Sequence, residues 1–438
     1  MFSRFHAPLT VEGQSRNLSR LGAAMVLSLA SSFSCAQSAG LTLDQALQQA
    51  TQRSASNQAS VAAIEASRES AAKADQLPDP MLKLGVDNLP VNGPDRLSLT
   101  HDFMTMRRVG IEQQWVSSDK RVARSERAQR AVEMEEANHL ANIAKVREET
   151  AKAWVAVWYA QRTTSLTRML ETEAKADLET QQAAYRGAKS GAMDAAQAQL
   201  TLVQVQDVAR KSEQELRTAR AVLGRWVLAP VESVDNALPS LVSHVAKLAV
   251  EDLEKYHPMV MMAKRAVTLA DAETTVASRE RRPDWSVEAS YSQRGGQYSN
   301  MVSVGVSIPL TVNPSQRQDR DIAEKSALAT KARLQYEEAL RELQNEIQTL
   351  SFTLTSLNER VAALREQLLP LANQQVELAT AAYRAGTGSL SAVFNAKKML
   401  VEKQLQIAEL EKDAAMTWAS LEYHVVPHNM PTPGRSAQ

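Results

Sequence analysis

Histidine and methionine offer the donors that soft metal ions bind, and His257-Pro258-Met259-Val260-Met261-Met262 gathers four of them within six residues. Imidazole and thioether suit Cu(I) or Ag(I). The same residues equally suit the apolar face of a helix entered through Pro258, and methionine at such spacing ordinarily fills a core. Met104 and Met106, beside Arg107 and Arg108, carry the same two readings. The single cysteine, Cys35, excludes a disulfide framework and any Cys-based zinc site. No Gly-rich phosphate loop opens a helix, HExxH does not occur, and the scattered carboxylates read as solvated faces of charged helices. The sequence therefore predicts no catalytic centre, no cofactor and no resident metal site.

The elements around these residues belong to a long, breaker-poor chain. Its 438 residues include 50 Lys+Arg against 50 Asp+Glu, 44% hydrophobic residues, 15 Gly and 15 Pro. Zero formal net charge gives no electrostatic reason to expect nucleic acid as a partner. A mean hydropathy of -0.32 excludes a polytopic helical membrane protein but not a membrane β-barrel, whose alternating strands average out as polar.

The N-terminus sets Arg4, Arg16 and Arg20 before the apolar run 21–29 and the small-residue stretch 30–40, the order of a secretory signal peptide. Residues 1–36 are assigned to that signal, with the mature chain beginning between Gln37 and Leu41. Cys35 stands where a lipoprotein carries its modified cysteine, yet Ser32, Phe33 and Ser34 lack the Leu and small pair usual there, and Ser34 with Ala36 fits ordinary cleavage.

The chain repeats itself. Ala183-Ala184-Tyr185-Arg186 recurs as Ala381-Ala382-Tyr383-Arg384, each leading into a Gly-containing turn, Gly187 to Gly191 and Gly386 to Gly388. Val109-Gly110-Ile111 echoes Val304-Gly305-Val306, and Leu77-Pro78-Asp79-Pro80-Met81 has a looser counterpart in Arg282-Pro283-Asp284-Trp285. Each half reads as helix, strand, strand, long helix, tight turn, helix. The repeats span residues 37–228 and 251–426, joined by a linker at 229–250 and followed by a flexible tail at 427–438.

Between Ile111 and Arg186 neither Gly nor Pro occurs, and from Ser315 to Ala385 the only breaker is Pro370. Some 70 helical residues at 1.5 Å each extend about 100 Å, with no obvious soluble core to pack on. Leu340, Leu343, Ile347, Leu350, Leu354, Leu357, Val361, Leu364, Leu368 and Leu371 alternate spacings of three and four, the pattern of a left-handed coiled coil. Val393, Ala396, Leu400, Ile407, Leu410, Ala414 and Leu421 continue it on a returning helix, and Pro370 should bend or break the outgoing arm. In the strands, Leu82, Leu84 and Val86 alternate with Lys83, Gly85 and Asp87, and Val302, Val304, Val306, Ile308 and Leu310 with Ser303, Gly305, Ser307 and Pro309. Such segments fit transmembrane β-strands and equally a soluble sheet with one face on a core. Export and the long arms favour the membrane. Four strands cannot close a barrel, so subunits must share one.

At these residues the sequence resembles the TolC family of outer-membrane efflux factors: two repeats, two strands per repeat, long helical arms and Tyr-x-x-Gly-like turns. Leu77 to Pro90 (LPDPMLKLGVDNLP) and Asp102 to Gly110 (DFMTMRRVG) look like the branch serving heavy-metal efflux, in copper-silver or cobalt-zinc-cadmium exporters. The resemblance implies an all-α coiled-coil tunnel in the periplasm plus a transmembrane β-barrel in outer-membrane lipid. It further implies four strands per chain, a homotrimer closing twelve strands, and docking to a periplasmic adaptor and an inner-membrane RND-type pump. It places the periplasmic gate and adaptor-docking surface at Tyr185, Arg186, Gly187, Gly191, Asp194, Tyr383, Arg384, Gly386, Gly388 and Asn395. Asp194 matches an acidic position of the family's tips, whereas Ala392 and Asn395 stand where its best-known members carry Asp, which leaves a cation-trapping acidic ring in doubt. The first turn counts one residue more before its final Gly than the second, and glycine should supply the left-handed backbone angle in both. The function implied is a passive exit duct for efflux, with multidrug efflux or type I secretion as alternatives. A periplasmic coiled-coil adaptor is a further alternative, although an adaptor needs one hairpin and this chain repeats it.

Overall fold

Each repeat opens on two consecutive helices rather than the single one expected. In the computed structural model, which describes residues 40–245, 250–423 and 425, helices α1 (Leu43–Arg53) and α2 (Ala55–Ala72) are separated at Ser54. The backbone of Ser54 leaves the helical region while its side chain accepts from Asn57 N. In the second repeat α5 (Val250–Tyr256) gives way to α6 (Pro258–Glu280) at the His257-Pro258 step, where proline occupies the first helical turn and so breaks no hydrogen bond. The signal segment with Cys35, and the tail at 427–438, lie outside the described residues. From Leu41 onward the described residues form one unit.

The strands β1 (Met81–Asp87), β2 (Met106–Trp115), β3 (Trp285–Gln293) and β4 (Met301–Ser307) form one antiparallel sheet in the order β1-β2-β3-β4. The inner pair, β2 and β3, joins the repeats, and Ile308 to Leu310 fall beyond the strand assigned to them. Since side chains alternate across a strand, the register puts Leu82, Leu84, Val109, Ile111, Val287, Tyr291, Val302, Val304 and Val306 on one face. That face is bare: Leu84 is 71% exposed and Val302 75%. The opposite face carries Lys83, Arg108, Gly110, Glu112, Glu288, Ser290 and Ser292, with Ser290 and Ser292 buried. A sheet folded for water does the reverse. Trp115 and Trp285 stand opposite each other at the helical end of the apolar face, their rings stacked at 5.8 Å.

Beyond β2 the chain enters α3 (Ser118–Arg186), 69 residues and about 100 Å long. It returns as α4 (Ala192–Val227). The second arm is α7 (Gln318–Ala363), a π-turn at Leu364–Leu368 and α8 (Leu369–Arg384), returning as α9 (Leu390–Glu422). Lys120, buried at the start of α3, reaches Asp284 at 2.7 Å just before β3 and so ties the repeats where strands become helices.

The arms do have a core, contrary to expectation, midway along their length. Trp154, Val155, Val157 and Tyr159 of α3 meet Leu223 and Val227 of α4, Leu343 to Leu357 of α7 and Ala414 to Leu421 of α9, with α1 packed alongside. Extended segments wrap this belt. Leu41 bridges Val234, and the indole N–H groups of Trp154, Trp158 and Trp418 donate to the carbonyls of Leu41, Asn236 and Val242. Sequence periodicity follows helices and passes over such segments, which contribute through backbone groups. Tyr423, packed under the Arg147 guanidinium at 5.3 Å, has its phenol pushed up to about 12 by burial.

Pro370 neither breaks nor sharply ends the arm. Its ring would strike the carbonyl four residues back in a regular helix, and the chain absorbs this by widening the preceding turn, where Leu369 N bonds Leu364 O. The added residue rotates the apolar stripe. Leu343, Ile347, Leu354 and Leu357 are buried as the heptads predict, but past the π-turn Ala372 is buried while Leu371 is 61% exposed. Arg365, within the wide turn, reaches Glu411 of α9 at 2.5 Å, and Arg162 approaches the same carboxylate at 3.9 Å. Glu411 is 6% exposed, whereas both arginines are about half exposed, so the cost of a lost partner is asymmetric. Arg365→Ala strands a buried carboxylate and should destabilise the purified protein by about 1–3 kcal/mol. Glu411→Leu leaves only solvated arginines and should cost less. Thermal unfolding in detergent ranks the two; the opposite order contradicts this assignment.

Candidate functional site

Both hairpin tips end their outgoing helix in a Schellman motif, in which the N–H groups just past a helix satisfy its last carbonyls. In the first tip Lys189 N bonds Ala184 O at 2.8 Å and Ala188 N bonds Tyr185 O at 3.0 Å. In the second, Thr387 N bonds Ala382 O and Gly386 N bonds Tyr383 O, both at 3.0 Å. The repeated Ala-Ala-Tyr-Arg thus builds the same corner twice. Both turns also reach the N-cap of the next helix in the same number of residues, Gly191 six after Tyr185 and Ser389 six after Tyr383. The extra residue expected in the first turn is absent: Gly191 corresponds to Ser389, and Ser190 to Gly388. A Cβ on Gly388 would lie 3.0 Å from Ala382 Cβ.

Glycine supplies the left-handed residue in only one of them. Gly386 has φ of 74°, but in the first turn Ala188 takes that place with φ of 54°, while Gly187 and Gly191 have ordinary negative φ. An alanine Cβ crowds the following carbonyl in this conformation, and glycine escapes the penalty.

The other expected residues lie at the same end. Tyr185, Arg186, Tyr383, Arg384 and Asn395 are exposed. Asp194 holds its own turn, its Oδ2 accepting from Gly191 N at 3.1 Å, which is the helix-capping role of an acid three residues into a helix. The corresponding residue in the second tip is Ala392, and there Ser389 caps instead, accepting from Ala392 N at 3.2 Å.

Residues without a sequence signal join the two hairpins. Gln181, buried on α3, donates through Nε2 to Ser391 Oγ of α9 at 2.5 Å. Higher up, Lys397 Nζ pairs with Glu173 at 2.8 Å, around a cluster of Leu170, Leu178, Leu202, Phe394 and Val401. Asp177, one turn above Gln181, is buried, and desolvation raises its carboxyl against the opposing effect of a bond from Gln181. Pairings between helices of different repeats leave no periodic trace, because each partner is a lone polar residue on its own helix.

The methionine segments divide between interior and surface. His257 is buried while the neighbouring Met259 is 54% exposed, and among the described residues no group of three His, Cys, Asp or Glu side chains could hold a metal ion. Met104 is exposed beside a turn that Asp102 organises by accepting from Met104 N and Thr105 N, so Asp102 to Gly110 serves to launch β2.

The tips yield a matched pair of substitutions. Ala188→Gly should strengthen the first corner and Gly386→Ala should weaken the second, each by about 1 kcal/mol. Hydrogen-exchange protection of the Lys189 and Thr387 amides, which donate the closing bonds, reads each effect locally. Equal protection in both variants and the parent would remove the backbone argument.

Residues 249–423 match the family model described as outer membrane efflux protein. No curated protein sequence matches the chain. Among solved structures, the CmeC outer membrane channel of Campylobacter jejuni superposes with a TM-score of 0.74 at 12% identity, covering 87% of this chain and 85% of that one. The outer membrane protein VceC of Vibrio cholerae gives 0.70 at 17% identity, covering 87% and 95%, and CusC gives 0.71 at 16%, covering 86% and 90%. These likenesses extend the fold over both repeats, and residues 249–423, most of the second repeat, match the outer membrane efflux protein family.

Proposed function

We propose that this protein is the outer-membrane exit duct of a tripartite efflux system, a homotrimer that conducts substrate passively from an inner-membrane pump and its periplasmic adaptor to the exterior. The observation that carries the reading is the inverted polarity of the sheet: most of its valines and leucines are bare, whereas Ser290 and Ser292 are buried and the charged side chains are partly covered. Hydrocarbon outside and water inside make that arrangement stable. The unpaired edges of β1 and β4 give the second reason for assembly, since exposed strand edges must find partners. Three chains supply twelve strands and leave a lumen, whereas two would supply eight and fill it with side chains. The stacked Trp115 and Trp285 suit the periplasmic interface, where aromatic rings gather.

The arms then project into the periplasm and their tips form the closed end. Tyr383 and Arg384, exposed on the single chain, meet the adjacent hairpin near Asp194, and the tip surface from Tyr185 to Gly191 and from Tyr383 to Gly388 receives the adaptor. Heavy-metal cations are the proposed cargo, on the likeness of Leu77 to Pro90 and Asp102 to Gly110 to that branch; they are substrate and need no resident site. Native mass spectrometry in mild detergent should give three subunits. Tyr383→Phe combined with Arg384→Ser should raise single-channel conductance in planar bilayers while the trimer persists. A stable monomer that keeps its β-sheet signal defeats the shared barrel, and unchanged conductance in an intact double variant removes Tyr383 and Arg384 from the gate.

A further inference from the structure

The polar face of the sheet holds five charged side chains, and all five belong to one network. Lys83 on β1 pairs with Glu112 on β2 and, at 2.7 Å, with Glu288 on β3. Arg108 on β2 pairs with Asp87 on β1 at 3.1 Å and approaches Glu288 at 3.4 Å. Lys83 therefore crosses an entire strand to reach Glu288. It can do so because the residue beside it on β2 is Gly110, which leaves no side chain in the way. Nor is that space free to fill, since a Cβ on Gly110 would lie 2.9 Å from Ser290 Cβ. Glu112 and Glu288 face each other directly across β2 and β3, a pairing that repels unless a cation lies between them, and Lys83 supplies it. On β4 the same face offers Met301, Ser303, Gly305 and Ser307, none of them charged, so nothing there offsets the network.

Two cations against three carboxylates leave one uncompensated negative charge on this face of each chain. We infer that Lys83, Arg108, Asp87, Glu112 and Glu288 form a charge belt inside the barrel that makes the open channel favour cations over anions, a selectivity element in the barrel wall separate from the tips. The inference rests on the proposed duct, in which this face lines the lumen and three copies close the belt. Mutual pairing holds the side chains against the wall and leaves the lumen clear, while the surplus charge acts on every ion that passes. A low-dielectric wall focuses such a field along a water-filled passage.

The test is the reversal potential of the purified full-length protein in planar bilayers under a KCl gradient, at about 0.1 M mean ionic strength so that the field reaches about 10 Å into the lumen. Neutralising Glu288 by Glu288→Gln removes the surplus and should lower the potassium-to-chloride permeability ratio by about twofold or more. Lys83→Gln doubles the surplus and should raise the ratio. The double variant restores the parent balance and should return the ratio towards the parent value, which a general disturbance of the wall would not do. If Glu288→Gln fails to assemble, Glu112→Gln makes the same change of charge at the neighbouring position. Channels whose ratio is the same in every variant, or moves the same way for Glu288→Gln and Lys83→Gln, overturn the belt while leaving the duct intact. If neither the parent trimer nor the trimer opened at its tips by Tyr383→Phe with Arg384→Ser gives conductance steps, it is the duct reading that fails, and the belt falls with it.

Discussion

The structure depends on one constraint: a four-stranded sheet that is apolar on its bare face and unpaired at both edges cannot rest in water as a single chain. Burying a valine or leucine side chain is worth about 1.5–3 kcal/mol, and this sheet leaves a whole face of them uncovered. The strand edges add rows of backbone donors and acceptors that no solvent satisfies within a bilayer. In the proposed duct, lipid answers the first demand and neighbouring copies the second. From that follow the polar interior and the connection of both repeats through β2 and β3, which sets both helical arms at the same end of one sheet.

The arms meet a different requirement. A helix of 69 residues needs support along its whole length, and the chain divides the task. Near the sheet the Lys120–Asp284 pair joins the repeats; midway a belt of tryptophans fastens the extended segments to the helices; near the tips Gln181 and Ser391 join the two hairpins. The π-turn before Pro370 belongs with the middle belt. It rotates the stripe of α8 relative to α7, so that one arm presents different positions inward above and below the core, with Arg365 and Glu411 bracing the change.

Much of this was legible in the residues. Alternation in the strands and three-four spacing in the arms give the sheet and the hairpins, and the repeated Ala-Ala-Tyr-Arg marks both tips, because each feature is periodic or local. What escaped was neither. The buried belt is held by carbonyls of irregular segments such as Leu41 and Asn236, whose side chains carry no signal for it. The π-turn shifts the heptad by one residue, which spacing alone cannot anticipate beyond flagging Pro370. At the first tip the glycine next to the corner, Gly187, is not the left-handed residue; Ala188 is, since the hydrogen bonds of the motif fix the position and not the residue type. The two turns look unequal when glycines are counted and are equal when N-caps are.

The account stands on which face of the sheet meets lipid, and that can be measured directly. Nitroxide labels on single cysteines at Leu84, Ile111 and Val304, and on the other face at Gly85, Glu112 and Ser303, in protein reconstituted into liposomes, report relative collision with oxygen, which concentrates in lipid, and with a water-soluble nickel chelate. Oxygen-favoured collision at the first three and chelate-favoured collision at the second three is the predicted result. Chelate access at Leu84, Ile111 and Val304 equal to that on the polar face would mean a sheet packed in water, and would contradict the membrane reading at its base.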